Sequence, residues 1–405
     1  MKVVVEQSNP CGVVMAPPSK SMAHRYLICA GLAKGKSIIE NVAGSEDLLA
    51  TMDCLRSLGV NVQEQENMIW VDGLGKEKKV EKATLFCRES GSTLRFFLPI
   101  CAALGISTTL KGKGRLLSRP MEVYRDCMRK QGLLYEEGED FIHIEGQLKP
   151  GTYEVRGDIS SQFISGLLFG LSLLKEDSCI RILPPVTSSS YIDLTIQALR
   201  ASGIEIRRER EEELWIKGNQ DYQRLHLKVE GDASNAAFFD ALHVLDFPVT
   251  VEGLRKDSRQ GDLVYKELFR KLKEGKPTIS LKNCPDLGPI LFVLAAEFHG
   301  AVFTQTKRLR IKESDRVSSM KEELEKLNAS IEVGEDFVKI KPSHLQPPKE
   351  SLYGHNDHRI VMALAVLLVK YGGAIEGAEA VRKSMPDFFE TLENLKVKIR
   401  TEEGC

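Results

Sequence analysis

The sequence predicts an α/β (α+β repeat) protein of two domains, each an inside-out α/β barrel of three units, with buried helices inside and sheets around them. Three observations carry this. The chain has 405 residues, more than one hydrophobic core usually fills. A polar cluster followed by an apolar helix recurs at a period of about seventy residues, the signature of a repeat architecture. A second, amphipathic helix series recurs between the copies of the first.

The first series opens at Ser19 (SKSMAHRYLICAGLAKGKSIIE), Ser90, Ser160, Asp232, Asp286 and Asn356. The second starts near Asp47, Pro120, Asp193, Asp262, Asp315 and Asp387. Both ladders shorten at the same step, between the fourth and fifth copies, so chance is a poor account of either. Stretches such as LLFGLSLL and IVMALAVLLV are apolar all round, which predicts interior helices. The second series carries charges such as Lys321, Glu322, Glu323 and Glu325 between apolar positions, which predicts solvent-facing helices. Each unit then reads β-α-β-α-β-β.

Three units per domain put one crossing near Gly231. The Pro17-Pro18 pair is a stiff connector, and the strand Val3–Glu6 ahead of it is free to pair with the C-terminal half. The expected domains are residues 1–19 with 231–405, and residues 20–230, with a hinge of two strands near 17–20 and 229–232.

Composition bounds the function. Hydrophobic residues make up 42% and charged residues 28%, ordinary for a globular protein. A formal charge of −1 argues against a global basic field for nucleic acid. The nine cysteines (11, 29, 54, 87, 101, 127, 179, 284 and 405) contain no CxxC pair, so free thiols in a reducing compartment are expected rather than disulfides or a zinc site. MKVVVEQSNP alternates like a strand and lacks the apolar run of a signal peptide. The longest apolar stretch, Ile360 to Val369, is too short to span a bilayer. The expected location is the cytoplasm, with neither membrane nor nucleic acid as a partner.

Function is expected where the helices begin. Their first turns expose unpaired N–H groups and the positive end of the macrodipole, suited to phosphate or carboxylate. Here those turns carry cations: Lys20 and Arg25, Arg95, and His358 with Arg359. Arg119 precedes Pro120, Arg316 follows Asp315, and Lys312 and Lys383 lie just ahead of their helices. Stability alone favours acids at those positions, so the repeated violation points to anionic ligands. Capping by itself accounts for Ser19, Asp232, Asp193 and Asp262. Arg316 has a plainer reading too, as a partner for Glu313 or Asp315.

The motifs PPSKSMAHR (17–25), SGSTLR (90–95), SRPM (118–121), SSQF (160–163), SYIDLT (190–195), VEGDASNAAFF (229–239), IKESDR (311–316), NDHR (356–359) and KSMPDFF (383–389) occur in order. Together they resemble the EPSP synthase family, the 3-phosphoshikimate 1-carboxyvinyltransferases, over residues 15 to 390. The resemblance implies two domains closing around their ligands without metal or organic cofactor. It implies enolpyruvyl transfer from phosphoenolpyruvate to the 5-hydroxyl of shikimate 3-phosphate, a step toward chorismate and the aromatic amino acids. Carried over by motif, Ser21, Arg25, Ser160, Ser161, Ser188 and Tyr191 would hold shikimate 3-phosphate, with Asp286 and Lys312 beside it. Arg119, Arg316, Arg359 and Lys383 would grip phosphoenolpyruvate, and Gly91 would allow close backbone approach. Lys20 and Gln162 would touch both substrates. Glu313 would donate a proton to carbon, Asp286 would accept one from the hydroxyl, and Lys20 would neutralise the departing phosphate. The resemblance also implies a monomer and glyphosate as an inhibitor.

Three positions depart from that family's pattern: Glu89, Arg308 and the pair Ser189-Ser190. They bear on affinity and glyphosate sensitivity. The sister transferases acting on UDP-N-acetylglucosamine are disfavoured, because this chain has Lys20-Ser21 where they show Lys-Asn and no Cys in GKGRLLSRP. A non-enzymatic repeat clamp on DNA would need a basic inner face, which the net charge disfavours, and no nucleotide-binding motif supports RNA-phosphate cyclisation.

Overall fold

The computed structural model describes residues 1–77 and 79–402. They form two compact units, Pro18–Glu230 and Met1–Pro17 with the chain from Gly231 on. Two helix series alternate along the chain as the periodicity predicts. They are α1 (Lys20–Leu32), α2 (Glu46–Ser57), α3 (Gly91–Leu104), α4 (Glu122–Lys130), α5 (Ser161–Leu171) and α6 (Ser189–Ala201), then α7 (Ala233–Val244), α8 (Tyr265–Glu274), α9 (Gly288–Glu297), α10 (Arg316–Glu325), α11 (His358–Tyr371) and α12 (Phe388–Asn394). The odd-numbered helices are buried nearly all round, and the even-numbered ones keep a solvent face.

Sheets of one plan accompany the helices. In the third copy, strands 152–156 and 178–183 run parallel around α5; strand 213–216 pairs antiparallel with the second, and strand 206–210 takes the edge. The second and fifth copies repeat that order. Two copies borrow a strand from the far end of their unit. His226–Lys228 leads the first sheet, parallel to Lys34–Glu40. Lys2–Val5 lies between Gly373–Glu376 and Ile399–Glu402, antiparallel to both, so the opening strand does pair with the C-terminal half. Among the described residues no sheet closes on itself, and the odd-numbered helices lie inside.

The fourth copy is incomplete. It has only Gly12–Met15 and Val249–Glu252, paired in parallel. After α8 the chain passes directly to Thr278–Ser280, the leading strand of the fifth sheet, so the hairpin that ends the first, second, third and fifth copies is missing. That absence is the shortened step in both sequence ladders.

Helix starts follow the capping chemistry, with four corrections. Ser19, Ser90, Ser160 and Asp232 each accept a backbone N–H of the first turn. Asp286 does not begin a helix; it sits in a 3₁₀ turn, Pro285–Leu287, ahead of α9. Asp357, not Asn356, caps α11. Asp193 lies inside α6, ion-paired with Arg208 at 2.8 Å. Asp262 makes no cap for α8; its carboxylate accepts the Ser234 hydroxyl. A short polar residue near a helix start satisfies the local pattern, but the cap goes to whichever residue has the non-helical backbone angles.

In the unit Pro18–Glu230, α3 and α5 pack closely because Gly166 has no side chain. A Cβ there would lie 2.1 Å from the Arg95 carbonyl and 2.2 Å from the Tyr124 hydroxyl. That hydroxyl reaches the Arg95 and Phe163 carbonyls at 2.7 and 2.9 Å. The approach brings Arg95 on α3 beside Gln162 on α5. Eight cysteines are free thiols, six of them buried, and Cys405 lies outside the described residues. No described helix is long and apolar enough to cross a membrane.

Candidate active site

Each unit carries its own cluster of the predicted residues. In Pro18–Glu230 the cluster is cationic and built on the starts of α1, α3, α5 and α6. Lys20 reaches Asp47 on α2 at 2.7 Å. Arg25, one helical turn on, donates from Nε to Thr195 (2.8 Å), from Nη1 to the Ser21 carbonyl (2.7 Å) and from Nη2 to the Tyr191 carbonyl (3.0 Å). Its guanidinium stands 5.2 Å from the centre of the Phe96 ring, tying α1 to α3. Burial pulls its pKa down to about 10, which still leaves it charged at neutral pH.

The other half of this cluster centres on Gln162. Its Oε1 accepts from Arg95 Nη1 at 2.7 Å and its Nε2 donates to Ser92 at 3.0 Å, while its backbone N–H is held by Ser160. Arg95 also donates to the Pro120 carbonyl, 3.1 Å away, and lies over the Phe163 ring. Arg119 is almost wholly buried against Gly91: a Cβ at Gly91 would stand 2.8 Å from Arg119 Nη1. A side chain at position 91 would have to displace that guanidinium. Ser161 is buried in the first turn of α5. Ser188 precedes α6 in the left-handed region, φ 52°, and is buried.

The second cluster, in the unit containing Met1–Pro17, is a lattice of alternating charges around Arg316, which is 1% exposed. Arg316 donates from Nε to Asp357 at 2.8 Å, from Nη2 to Asp357 at 3.3 Å and to Glu313 at 2.8 Å, and from Nη1 to Asp286 at 2.9 Å. Asp286 also meets Lys312 at 3.1 Å and Arg359 at 3.6 Å. Asp357 is fully buried; it accepts the Ser314 hydroxyl and caps α11 through the Arg359 N–H. Lys383 donates to the Asn356 carbonyl at 2.7 Å.

Titration follows from this lattice. Burial works to raise the Asp286 carboxyl, but Lys312, Arg359 and Arg316 outweigh it and hold the group well below the usual carboxylate range. Burial lowers Lys312, which Asp286 opposes and Arg316 and Arg308 reinforce. Burial also works against charge on Arg316, yet Asp357, Glu313 and Asp286 raise it above the ordinary arginine value.

Lys20, Ser21, Arg25, Gly91, Arg119, Ser160, Ser161, Gln162, Ser188 and Tyr191 lie in one unit, and Asp286, Lys312, Glu313, Arg316, Arg359 and Lys383 in the other. The plain reading of Arg316 holds for Glu313 but not for Asp315, which caps α10 and pairs with Arg310. Sequence reasoning missed Asp47, Asp357 and Thr195 as partners. Asp357 had a signal, since it stands inside NDHR; Thr195 and Asp47 look like ordinary helix residues. Of the departures, Glu89 packs against Gly114, where a Cβ would lie 2.7 Å from its carboxylate; Arg308 points to the Lys282 carbonyl at 3.5 Å; Ser189-Ser190 form the first turn of α6.

Known proteins resemble the whole chain. The family described as EPSP synthase (3-phosphoshikimate 1-carboxyvinyltransferase) matches residues 5–392. The 3-phosphoshikimate 1-carboxyvinyltransferase of Clostridium kluyveri is 41% identical over 410 residues, 95% of each chain. That of Clostridium perfringens strain SM101 is 38% identical over 99% of this chain and 100% of its own. Among solved structures, the EPSP synthase of Acinetobacter baumannii matches the fold with a TM-score of 0.77 at 22% identity, covering 99% of this chain and 100% of that one. The enolpyruvyl transferase NikO of Streptomyces tendae matches at 0.78 and 16% identity, covering 98% of both. On sequence and fold together, this chain belongs to the EPSP synthase family.

Proposed function

We propose that the chain transfers the enolpyruvyl group of phosphoenolpyruvate to the 5-hydroxyl of shikimate 3-phosphate, releasing phosphate. Beside family membership, the observation that carries this reading is Arg316: one buried guanidinium joined to two carboxylates, Asp286 and Glu313, of opposite proposed duty. Both substrates carry a phosphate and a carboxylate, so four anionic groups need cations. Lys20, Arg25, Arg95 and Arg119 supply positive charge from one cluster, and Arg316, Arg359 and Lys383 supply it from the other.

Arg316 commits four N–H groups to carboxylates, of five available to any arginine. One Nη1 N–H is left over, so an incoming anion either takes that donor or replaces one of the four. Asp357 is the most deeply held, so the exchange falls on Glu313 or Asp286. When phosphoenolpyruvate takes the place of Glu313, that carboxyl loses a cation and gains an anion as neighbour. Both changes favour its protonated form, which a proton donor requires. Asp286 is ionised at neutral pH and becomes a better acceptor as its cations turn to the substrate.

The balance of the reaction follows. Glu313 protonates the methylene carbon; the 5-hydroxyl oxygen bonds to the neighbouring carbon and loses its proton to Asp286. The tetrahedral ketal then expels phosphate, which takes up the proton held by Asp286 while Lys20 compensates its charge, and Glu313 takes back a methyl proton to restore the double bond. Positioning and preorganised charge supply most of the acceleration. Ser21, Ser160, Ser161, Gln162, Ser188 and Tyr191 hold shikimate 3-phosphate with Arg25, Asp286 and Lys312; Gly91 admits phosphoenolpyruvate next to Arg119. The same reading makes the protein a cytoplasmic monomer and glyphosate a ligand competing for the phosphoenolpyruvate cations.

A phosphate-release assay with both substrates and EDTA tests this. Release that needs both substrates and survives chelation is expected; no release from folded protein sinks the reading.

A further inference from the structure

We infer that Glu323 is a positioning residue: it fastens the segment Tyr353–Asp357 to α10 and so sets Arg359 and Lys383 in place for phosphoenolpyruvate. The inference rests on the reading above that those two cations bind this substrate.

Glu323 breaks the pattern of its own helix. The run of charges from Lys321 to Glu325 predicts a solvated face, and Glu322 and Glu325 are 62% and 42% exposed. Glu323 is fully buried. An ionised carboxylate out of water is costly unless donors surround it. Three do: the Tyr353 N–H at 2.9 Å, His355 Nε2 at 2.8 Å and Lys326 Nζ at 2.9 Å. Two of the three come from the segment that leads into α11.

The same segment is tied to α10 a second time. Asp357, at its end, is held by Arg316, the first residue of α10. Between these ties sit His355 and Asn356, both left-handed with φ 49° and 53°. Two consecutive non-glycine residues in that region are unfavourable and persist only where their surroundings impose them. The path they take turns the Asn356 carbonyl to Lys383 (2.7 Å) and the Asp357 carboxylate to the Arg359 N–H (3.0 Å). Glu323 is thus the anchor on the far side of a strained turn whose near side carries two substrate cations.

A purely structural role would lower the folded fraction without choosing between substrates. Two variants of the full chain separate the alternatives. Glu323→Gln keeps the shape and can still accept the Tyr353 N–H, but removes the charge facing Lys326 and His355. His355→Phe removes one of the ties. In steady-state phosphate release, Glu323→Gln is expected to raise KM for phosphoenolpyruvate by about ten- to a hundred-fold, as a misplacement of about 1 Å does, and to leave KM for shikimate 3-phosphate within about two-fold. His355→Phe is expected to shift the same constant by less. Amide hydrogen exchange across 354–359 is expected to quicken in both. Unchanged KM for phosphoenolpyruvate and unchanged exchange in folded Glu323→Gln would overturn the inference, as would equal shifts in both KM values. If Glu323→Gln does not fold, His355→Phe decides by the same two readouts. Wild-type protein that releases no phosphate would instead sink the proposed reaction, and the exchange arm would still decide whether Glu323 holds the segment.

Discussion

Arg316 and Asp357, forty-one positions apart in the chain, share two hydrogen bonds at 2.8 and 3.3 Å and are both out of solvent. The pair joins the start of α10 to the start of α11 and fixes the guanidinium to which Asp286 and Glu313 attach. Removing the Asp357 charge takes the most deeply buried of three carboxylates from Arg316 and leaves Asp286 and Glu313 to offset the guanidinium. Asp357→Asn should therefore cost about 1.5–3 kcal/mol of stability, the worth of a hydrogen bond to a charged group. Chemical unfolding would show this as an earlier midpoint, and an unchanged midpoint would mean the pair is dispensable.

Glu313→Gln leaves a group that cannot donate a proton to carbon but still fits beside Arg316. The expected loss in kcat is on the order of 10²–10⁴-fold. Shikimate 3-phosphate should still bind, as titration calorimetry can establish. Near-normal turnover would remove Glu313 from the chemistry.

His24 is buried on α1 with its Nδ1 2.8 Å from the Thr51 hydroxyl. Burial, then the nearby Lys20 and Arg25, hold its pKa well below the ordinary 6.5. Because the folded value is depressed, the unfolded chain binds the extra proton first. Its neutral form costs nothing above the unfolded pKa, and stability falls as pH drops below about 6.5, by up to about 1.4 kcal/mol per pH unit. Unfolding free energies measured between about pH 7 and 5 should therefore decline less in His24→Gln than in wild type. Equal slopes would show that His24 does not set this dependence.

Gly166→Ala places a methyl group 2.1 Å from the Arg95 carbonyl, so α3 and α5 must separate. Overpacking of this kind costs about 1–3 kcal/mol. The Arg95–Gln162 bond of 2.7 Å should lengthen with it. A lower melting temperature together with raised KM values is expected; an unshifted melting temperature would show that the helices can yield.

Much of this was legible because repeats and caps are local. A Ser or Asp beside an apolar run marks where α1, α3, α5 and α7 begin, and the recurrence of such runs along the chain discloses the units. Periodicity misled where local chemistry was satisfied in another way: Asp193 and Asp262 have cap-like neighbourhoods but pair with Arg208 and Ser234. It was also silent at Glu323, whose charged neighbours disguise a buried side chain. The fourth copy showed only as a short step, and the reason, a missing hairpin, needed the strand pairing.

By itself, then, the sequence determined the two helix series, their burial, the cations at their starts and the family. The tertiary structure decided which charges meet. Arg316 finds Asp357, Asp286 and Glu313 through contacts spanning 41, 30 and 3 positions, and Arg25 finds Thr195 across 170. Helical periodicity constrains neighbours three and four residues apart. Pairings across tens of residues depend on how whole helices pack, and in this chain those pairings hold the Asp286 carboxyl well below the usual carboxylate range.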